Sequence, residues 1–172
     1  MRRVIELSAV MAFLAACQGK DGNQPHCLRQ LIGENANIAQ YDLDNDIIQR
    51  GRSLSCNART TATDGKDMLQ FLTSAATSGN RTTDQEITTH FELPMRVNLN
   101  DGHTLTLSTT SEVRANFHFI FTPEMSGRIS EADVSDFDDV GYRGLMLFDG
   151  RLWFEVDQND HNLKLAAVNV ID

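Results

Sequence analysis

The chain has 172 residues and a formal net charge of −9, with 15 Lys or Arg against 24 Asp or Glu, a size that fits one domain. The acidic surplus is concentrated in residues 86–172, where 15 acidic residues face six basic ones, and it argues against nucleic-acid binding and direct docking on anionic lipid headgroups. Such a surface suits a basic partner or a divalent cation, although solubility alone is the commoner reason for it.

Residues 1–16 have the pattern of an export signal peptide. Arg2 and Arg3 precede a ten-residue segment, 7–16, that is apolar except for one Ser. This segment is too short to span a bilayer, which needs about 20 residues. The residues Leu14-Ala15-Ala16-Cys17 resemble the lipobox of bacterial lipoproteins. The resemblance implies cleavage before Cys17, a diacylglyceryl thioether on its sulfur and an acylated amino terminus. A plain secretory signal, with Cys17 as an ordinary thiol, is the alternative.

The same resemblance implies a compartment. Gln18, rather than Asp, follows the lipidated cysteine, which is similar to the pattern of lipoproteins sent to the outer membrane. We therefore expect a palmitate-bearing protein that is anchored in the outer membrane and faces the periplasm. Residues 17–26 are rich in Gly, Asn and Gln and predict a flexible tether before a single domain of residues 27–172.

The cysteine count agrees with lipidation. If Cys17 carries lipid, Cys27 and Cys56 are the two that remain. The oxidising periplasm would join them in a disulfide bond, and two buried reduced thiols are the alternative. Their spacing fits neither a redox motif nor a zinc site.

The N-terminal part of the domain has helical spacing. A first helix is predicted after Cys27, and a second between a cap at Asp64 or Asp67 and a stop at Gly79. The apolar face of the second helix contains Met68, Leu69, Phe71, Leu72, Ala75 and Ala76.

Strand-like alternation begins near Glu86. Apolar residues occupy odd positions from Ile87 to Phe121, and polar residues occupy most even positions, which predicts antiparallel strands with one wet face. Around Asn100-Asp101-Gly102, only a three-residue loop with a left-handed Gly102 keeps the apolar residues of both strands on one face and the polar residues on the other. That loop pairs Val97 with Leu105 and Met95 with Leu107.

A second hairpin and a final strand complete the predicted sheet. A two-residue type I′ turn at Asp149-Gly150 pairs Leu147 with Leu152 and Leu145 with Phe154. The segment 163–171 is apolar on both faces, so we expect it inside the sheet, and residues 130–133 predict the cap of a short helix through Phe137. The predicted fold is α+β, with an N-terminal helical portion packed on an antiparallel sheet of six or seven strands.

Four carboxylates within seven residues form a weak candidate calcium site, although a solvated acidic loop is the commoner case. They are Asp133, Asp136, Asp138 and Asp139. His90 and His118 fall on the wet face of the predicted strands, without metal-ligand spacing. The sequence contains no nucleophile elbow, P-loop or dinucleotide turn, so it predicts no cofactor and assigns no catalytic residue.

The only Trp in the chain is the strongest candidate for a binding residue. Alternation places Trp153 with Met146 and Phe148 on one face of the second hairpin, opposite Leu147 and Phe154. Because both faces are apolar, both need a cover. We expect an N-terminal helix to cover the Trp153 face and make Trp153 part of the core. A partner protein, peptide or lipid is the alternative cover.

These observations predict a cell-envelope lipoprotein that binds rather than catalyses, in assembly, inhibition or immunity against an envelope-directed toxin. Its expected partners are the membrane, through the lipid anchor, and a basic or apolar envelope protein. The alternative is an enzyme that acts on envelope polymers with carboxylates such as Glu92, Glu112 or Asp138.

Overall fold

A computed structural model describes residues 60–140, 143–157 and 162–170, together with Asn37. The expectations for the signal peptide, the tether, the Cys27–Cys56 disulfide and the first helix lie outside the described residues. Within the described ranges, no helix combines the length and the hydropathy that are needed to cross a bilayer.

Helix α1, Ala62–Ser78, is the second predicted helix and is confirmed. It begins with a capping box: Asp64 N donates to Thr61 Oγ1 at 3.1 Å, and Thr61 N donates to the Asp64 carboxylate at 2.9 Å. The cap is therefore Thr61, and Asp64 is its reciprocal partner. Gly79 ends the helix with a positive φ of 54°, a conformation that glycine adopts without a steric cost.

The remaining elements alternate between short helices and strands. In chain order they are α2 Asp84–His90, β1 Phe91–Asn98, β2 Thr104–Leu107, α3 Thr110–Ala115, α4 Phe117–Ile120, α5 Pro123–Glu131, β3 Asp138–Asp139, β4 Leu145–Leu147, β5 Leu152–Val156 and β6 Leu163–Asn169. Short 3₁₀ turns, Gly79–Arg81 and Val134–Asp136, precede α2 and β3.

The described strands form one mixed sheet in the order β2-β1-β6-β5-β4-β3. The α+β class is confirmed, but the predicted all-antiparallel sheet is wrong, because β1 and β6 are parallel neighbours. Strands this far apart in the chain are not joined by a hairpin, so alternation alone does not fix their direction. The β3 edge strand has only two residues. The central position predicted for the last strand is confirmed, since β6 lies between β1 and β5.

The first hairpin has the predicted register. Val97 lies opposite Leu105 and Met95 opposite Leu107. Leu99 N donates to the His103 carbonyl at 2.8 Å, which closes a three-residue loop. Gly102 has a φ of +83°, so the left-handed position is also confirmed.

The second hairpin also has the predicted pairing. Leu147 lies opposite Leu152, and Leu145 lies opposite Phe154. Asp149 and Gly150 have φ values of +57° and +86°. Arg151 N donates to the Phe148 carbonyl oxygen at 3.2 Å. Two positive φ values at the central positions are what a type I′ turn requires.

Two segments that were predicted as strand are helical. The segment around Ile87 belongs to α2, and the segment 110–120 forms α3 and α4. Each begins with a capping box, from Thr83 to Glu86 and from Thr109 to Glu112. These local hydrogen bonds start a helix where the apolar residues also fit helical spacing, so the period-two interpretation fails there.

The hydrophobic core lies between the helices and one face of the sheet. Strand residues on this face are almost fully buried, and they include Phe91, Met95, Val97, Leu145, Leu147, Leu152, Phe154, Leu165 and Val168. Aromatic contacts join helices to this face. Phe71 of α1 meets Phe91 edge-to-face at 5.7 Å, and Phe137 meets Phe154 at 5.3 Å between ring centroids.

Candidate functional site

The opposite face of the sheet, called the tryptophan face below, is where the predicted binding residue lies. Strand register aligns one row of side chains across all six strands, because directly paired residues share a face. From β2 to β3 the row is Thr106, Arg96, Ala167, Trp153, Met146 and Asp138. Of this row only Ala167 is buried, at 7% exposure, whereas Arg96 and Thr106 are exposed and the others are intermediate.

A groove runs along β6 because a small residue separates two large ones. Ala167 forms the floor between Arg96 on β1 and Trp153 on β5. Two strand spacings place these flanking strands about 10 Å apart. The groove has a volume of about 450 Å³, within the range of roughly 300–1,000 Å³ that is typical of ligand sites. Arg143 and Glu155 also line it.

Trp153 is held against the turn of the second hairpin. A Cβ atom added to Gly150 would lie 3.3 Å from the indole Nε1 and 3.7 Å from Cε2, so the indole packs directly on this glycine. Trp153 is half-buried and does not belong to the buried core. Trp153 is therefore not one of the buried core residues, contrary to expectation. Helix α1 packs through Phe71 on the opposite face and does not provide the expected cover. The other predicted N-terminal helix lies outside the described residues.

The structure separates Phe148 from the other two predicted binding residues. Met146 lies opposite Trp153 in register, as expected. Phe148 instead has a φ of +57° and packs against the core, with the Arg128 guanidinium 4.6 Å above its ring. A left-handed residue interrupts the two-residue alternation of a strand, so alternation does not predict the side of Phe148.

A pair of amides fixes one end of the groove. Asn98 Nδ2 donates to Asn169 Oδ1 at 2.6 Å, and Asn169 Nδ2 donates to the Gly150 carbonyl at 2.5 Å. Thr104 Oγ1 donates to Asn98 Oδ1 at 2.9 Å. These bonds join β2, β1, β6 and the hairpin turn, so the amides hold the shape of the groove.

The acidic residues proposed as weak metal candidates cap a turn. Ser135 N donates to Asp133 Oδ1 at 3.1 Å, and Asp133 N donates to Asp136 Oδ2 at 2.8 Å. The helix predicted through Phe137 is therefore a 3₁₀ turn with Asp133 at its N-cap. Asp138 and Asp139 form the edge strand β3. The part of the chain that the structure describes has no group of three His, Cys, Asp or Glu side chains placed to hold a metal ion.

Calcium is expected to leave the melting temperature of the protein unchanged. Two of the four carboxylates already accept backbone N–H groups of their own turn, Asp133 and Asp136, and a hard cation needs several free oxygens. Thermal unfolding in millimolar calcium and in a chelator measures this. A calcium-dependent rise that disappears when Asp136 and Asp138 are changed together to Asn would contradict the expectation.

The two histidines expected on a strand face belong to helices. His90 is the last residue of α2 and stacks on Phe71, with ring centroids 3.9 Å apart. His118 lies in α4, with its ring centroid 4.0 Å from that of Phe119.

The carboxylates of the enzyme alternative have structural partners. Glu112 accepts the N–H of Ser108 at 2.7 Å beside its capping box, and Glu92 lies 4.0 Å from Lys164 Nζ. The carboxyl groups whose pKa values are shifted belong instead to α2. Hydrogen bonds from Thr110 and then Arg114 lower the pKa of Asp84, and backbone and side-chain hydrogen bonds from Thr83 lower the pKa of Glu86. A lowered pKa stabilises the anion, as in a helix cap, whereas a general acid needs a raised one.

Of the residues that line the groove, the sequence identified only Trp153 as a binding residue; those it missed include Arg96, Arg143, Ala167 and Asn169. The parallel pairing of β1 with β6 brings three of them together, and this pairing has no signal in chain order. The one local signal was the Ala166-Ala167 pair within a strand of larger residues. No protein-family model, curated protein or solved structure matches this chain.

Proposed function

We propose that this protein is a lipid-anchored protein of the bacterial cell envelope that binds another molecule through the tryptophan face and does not catalyse a reaction. The observation that supports the proposal most is the groove over Ala167. One wall is an indole held in place by Gly150, and the opposite wall is the exposed Arg96. Trp and Arg are the residues that most often dominate the free energy of binding.

The anchor in this proposal is the lipidated Cys17, in the outer membrane and facing the periplasm. A flexible tether of residues 17–26 would have a root-mean-square reach of about 17 Å, which would keep the domain close to the membrane. A disulfide between Cys27 and Cys56 belongs to the same proposal, since the periplasm is oxidising. A protein held in this way suits assembly, inhibition or immunity, each of which needs a binding surface and no chemistry.

Replacing Cys17 by Ser is expected to abolish lipid attachment, because the hydroxyl group cannot form the thioether. Cells that express the variant, labelled with a palmitate analogue, should give no labelled protein. The control is Cys27→Ser, which keeps the lipobox and should be labelled like the wild type. Equal label on wild type and Cys17→Ser would contradict the lipoprotein assignment.

A photoreactive amino acid at Met146 is expected to form a covalent adduct with a partner in intact cells. Met146 lies beside Trp153 in register, so a molecule in contact with the indole is within reach. The matched position is Thr77, exposed on α1, the helix that packs on the face of the sheet opposite to Trp153, and it should give no adduct. A second change, Trp153→Ala, should remove the Met146 adduct. Equal adducts from Thr77, or an adduct that persists without the indole, would contradict binding at this face.

A further inference from the structure

We propose that the groove binds an acidic peptide segment of another envelope protein, with its carboxylates on Arg96 and Arg143 and an apolar side chain against Trp153. This inference rests on the proposed binding function and names the class of the partner. It replaces the basic partner that net charge alone suggested, because the charge of the groove differs from that of the chain.

Most basic residues in the acidic part of the chain are already paired, and the two that are not line the groove. Of the six that follow residue 86, four have a partner: Arg114 with Asp84, Arg151 with Glu124, Lys164 with Asp157, and Arg128 above the ring of Phe148. The other two, Arg96 and Arg143, are exposed and make no hydrogen bond or ion pair within the described ranges. Both line the groove. Arg81, which precedes this segment, is also exposed and lies outside the groove. Within residues 86–172, which contain 15 acidic residues, both arginines without a partner line the groove.

The charge of the groove is opposite in sign to the net charge of the chain. The groove contains two arginines and one carboxylate, Glu155, whereas the chain has a net charge of −9. An acidic partner is attracted at the groove and repelled elsewhere, which favours one docking position. Because screening limits such forces to about 10 Å at 0.1 M salt, the local positive charge acts at the site itself.

The two walls of the groove differ in chemistry, since one carries an arginine and the other an indole. An extended peptide directs successive side chains to opposite sides. Lying along β6, it would present acidic side chains to the Arg96 wall and apolar ones to the Trp153 wall, above the Ala167 floor. The Gly144 backbone packs against Glu155, since an added Cβ would lie 3.4 Å from Glu155 Cα. Glu155 pairs with Lys164, at the end of β6 away from Asn169. Arg143, next to Gly144, therefore brings a second guanidinium group to the end of the groove opposite to the Asn98–Asn169 pair. Guanidinium groups bind carboxylates with paired hydrogen bonds.

The same geometry argues against two other anionic ligands. A sugar polymer needs many hydrogen-bond donors and acceptors, and the oxygens of both groove amides are already engaged. A membrane of anionic lipid would be repelled by the net charge of −9 on the chain. An acidic peptide needs only the two arginines, the indole and the small apolar floor.

Fluorescence of the mature, lipidated protein in detergent tests this inference. The chain contains one Trp, so tryptophan emission reports the groove. Three capped hexapeptides without Trp are the probes: alternating Asp and Leu, alternating Asn and Leu, and alternating Lys and Leu. We expect saturable emission changes with the Asp peptide only. Arg96→Ala and Arg143→Ala should each weaken its binding by about fivefold, the upper range for an exposed ion pair.

Matched variants separate the groove from the overall charge. Arg81→Ala removes an exposed arginine outside the groove and should leave the affinity for the Asp peptide unchanged. Glu155→Gln removes the one carboxylate of the groove and should strengthen binding about twofold. Unchanged melting temperatures would show that these exposed substitutions do not act through folding.

The possible failures are distinguishable. An emission response to the neutral or basic peptide, or to phosphatidylglycerol vesicles, overturns the acidic-peptide inference but keeps a binding role for Trp153. An equal loss of affinity in Arg81→Ala, or no response to the Asp peptide at millimolar concentration, also overturns it. Failure of the proposed function itself would appear instead as the absence of a specific adduct from Met146.

Discussion

Replacing Gly144 by Ala is expected to unfold the protein or to detach β4 from β5. Gly144 has a φ of +96°, and a Cβ atom there would lie 2.0 Å from the Phe154 carbonyl oxygen and 3.1 Å from its carbon. These are backbone atoms of a central hairpin strand, so no rotamer change relieves the clash. We expect a loss of about 4 kcal/mol or more in the free energy of unfolding, which is exceptional for a single substitution.

Two other glycines are the controls for this substitution. Gly102 has a φ of +83° with nothing within 4 Å of an added Cβ, so Gly102→Ala should cost only about 1–2 kcal/mol of left-handed strain. Gly127 lies in α5 with open space around it, so Gly127→Ala should stabilise the helix by roughly 0.5–1 kcal/mol. Urea unfolding measures all three. A Gly144→Ala variant no less stable than Gly102→Ala would contradict the close approach to β5.

Replacing Phe154 by Ala is expected to cost about 3–5 kcal/mol in the free energy of unfolding. Phe154 is fully buried on the core face of β5. It lies opposite Leu145 and meets the Phe137 ring at 5.3 Å, with 70° between the ring planes. The Ala variant would leave a cavity bounded by the sheet and the 3₁₀ turn. Urea unfolding measures the loss, and Phe154→Leu, which keeps most of the apolar volume, should lose much less. A loss below about 1 kcal/mol in the Ala variant would contradict the position of the core.

Both hairpins could be predicted because their information is local. In each, the apolar pattern on the two flanking strands permits one loop length only, and a Gly at the tip supplies the positive φ. Gly102 and Gly150 therefore identify the turns, and pairs such as Val97–Leu105 and Leu147–Leu152 follow. Helix α1 could be predicted for the same reason, since its apolar face and its stop at Gly79 lie within one continuous segment.

The errors arose where local signals compete or where distant segments meet. In the segment 110–120, alternation and helical spacing coexist, and the Thr109–Glu112 capping box favours the helix. The parallel pairing of β1 with β6 joins segments about 70 residues apart, and no turn between them sets direction. At Phe148, a single positive φ moves the side chain to the core side of the hairpin.

The candidate site could be predicted only in part. The position of Trp153 beside Met146 follows from the hairpin alone. The opposite wall of the groove comes from β1, and its floor comes from β6, so Arg96 and Ala167 enter the site through the parallel pair. The positive charge of the groove likewise cannot be predicted from the composition, since it depends on which arginines the fold leaves without a partner.

Urea unfolding of Trp153→Ala, beside Phe154→Ala, tests the central claim that the tryptophan face is a binding surface and not a second core. The two residues are neighbours on β5, with side chains on opposite faces of the sheet. We expect Trp153→Ala to lose about 1 kcal/mol, because its side chain is only half-buried, on the face opposite to the core, while Phe154→Ala loses several times more. A loss from Trp153→Ala as large as that from Phe154→Ala would contradict the account.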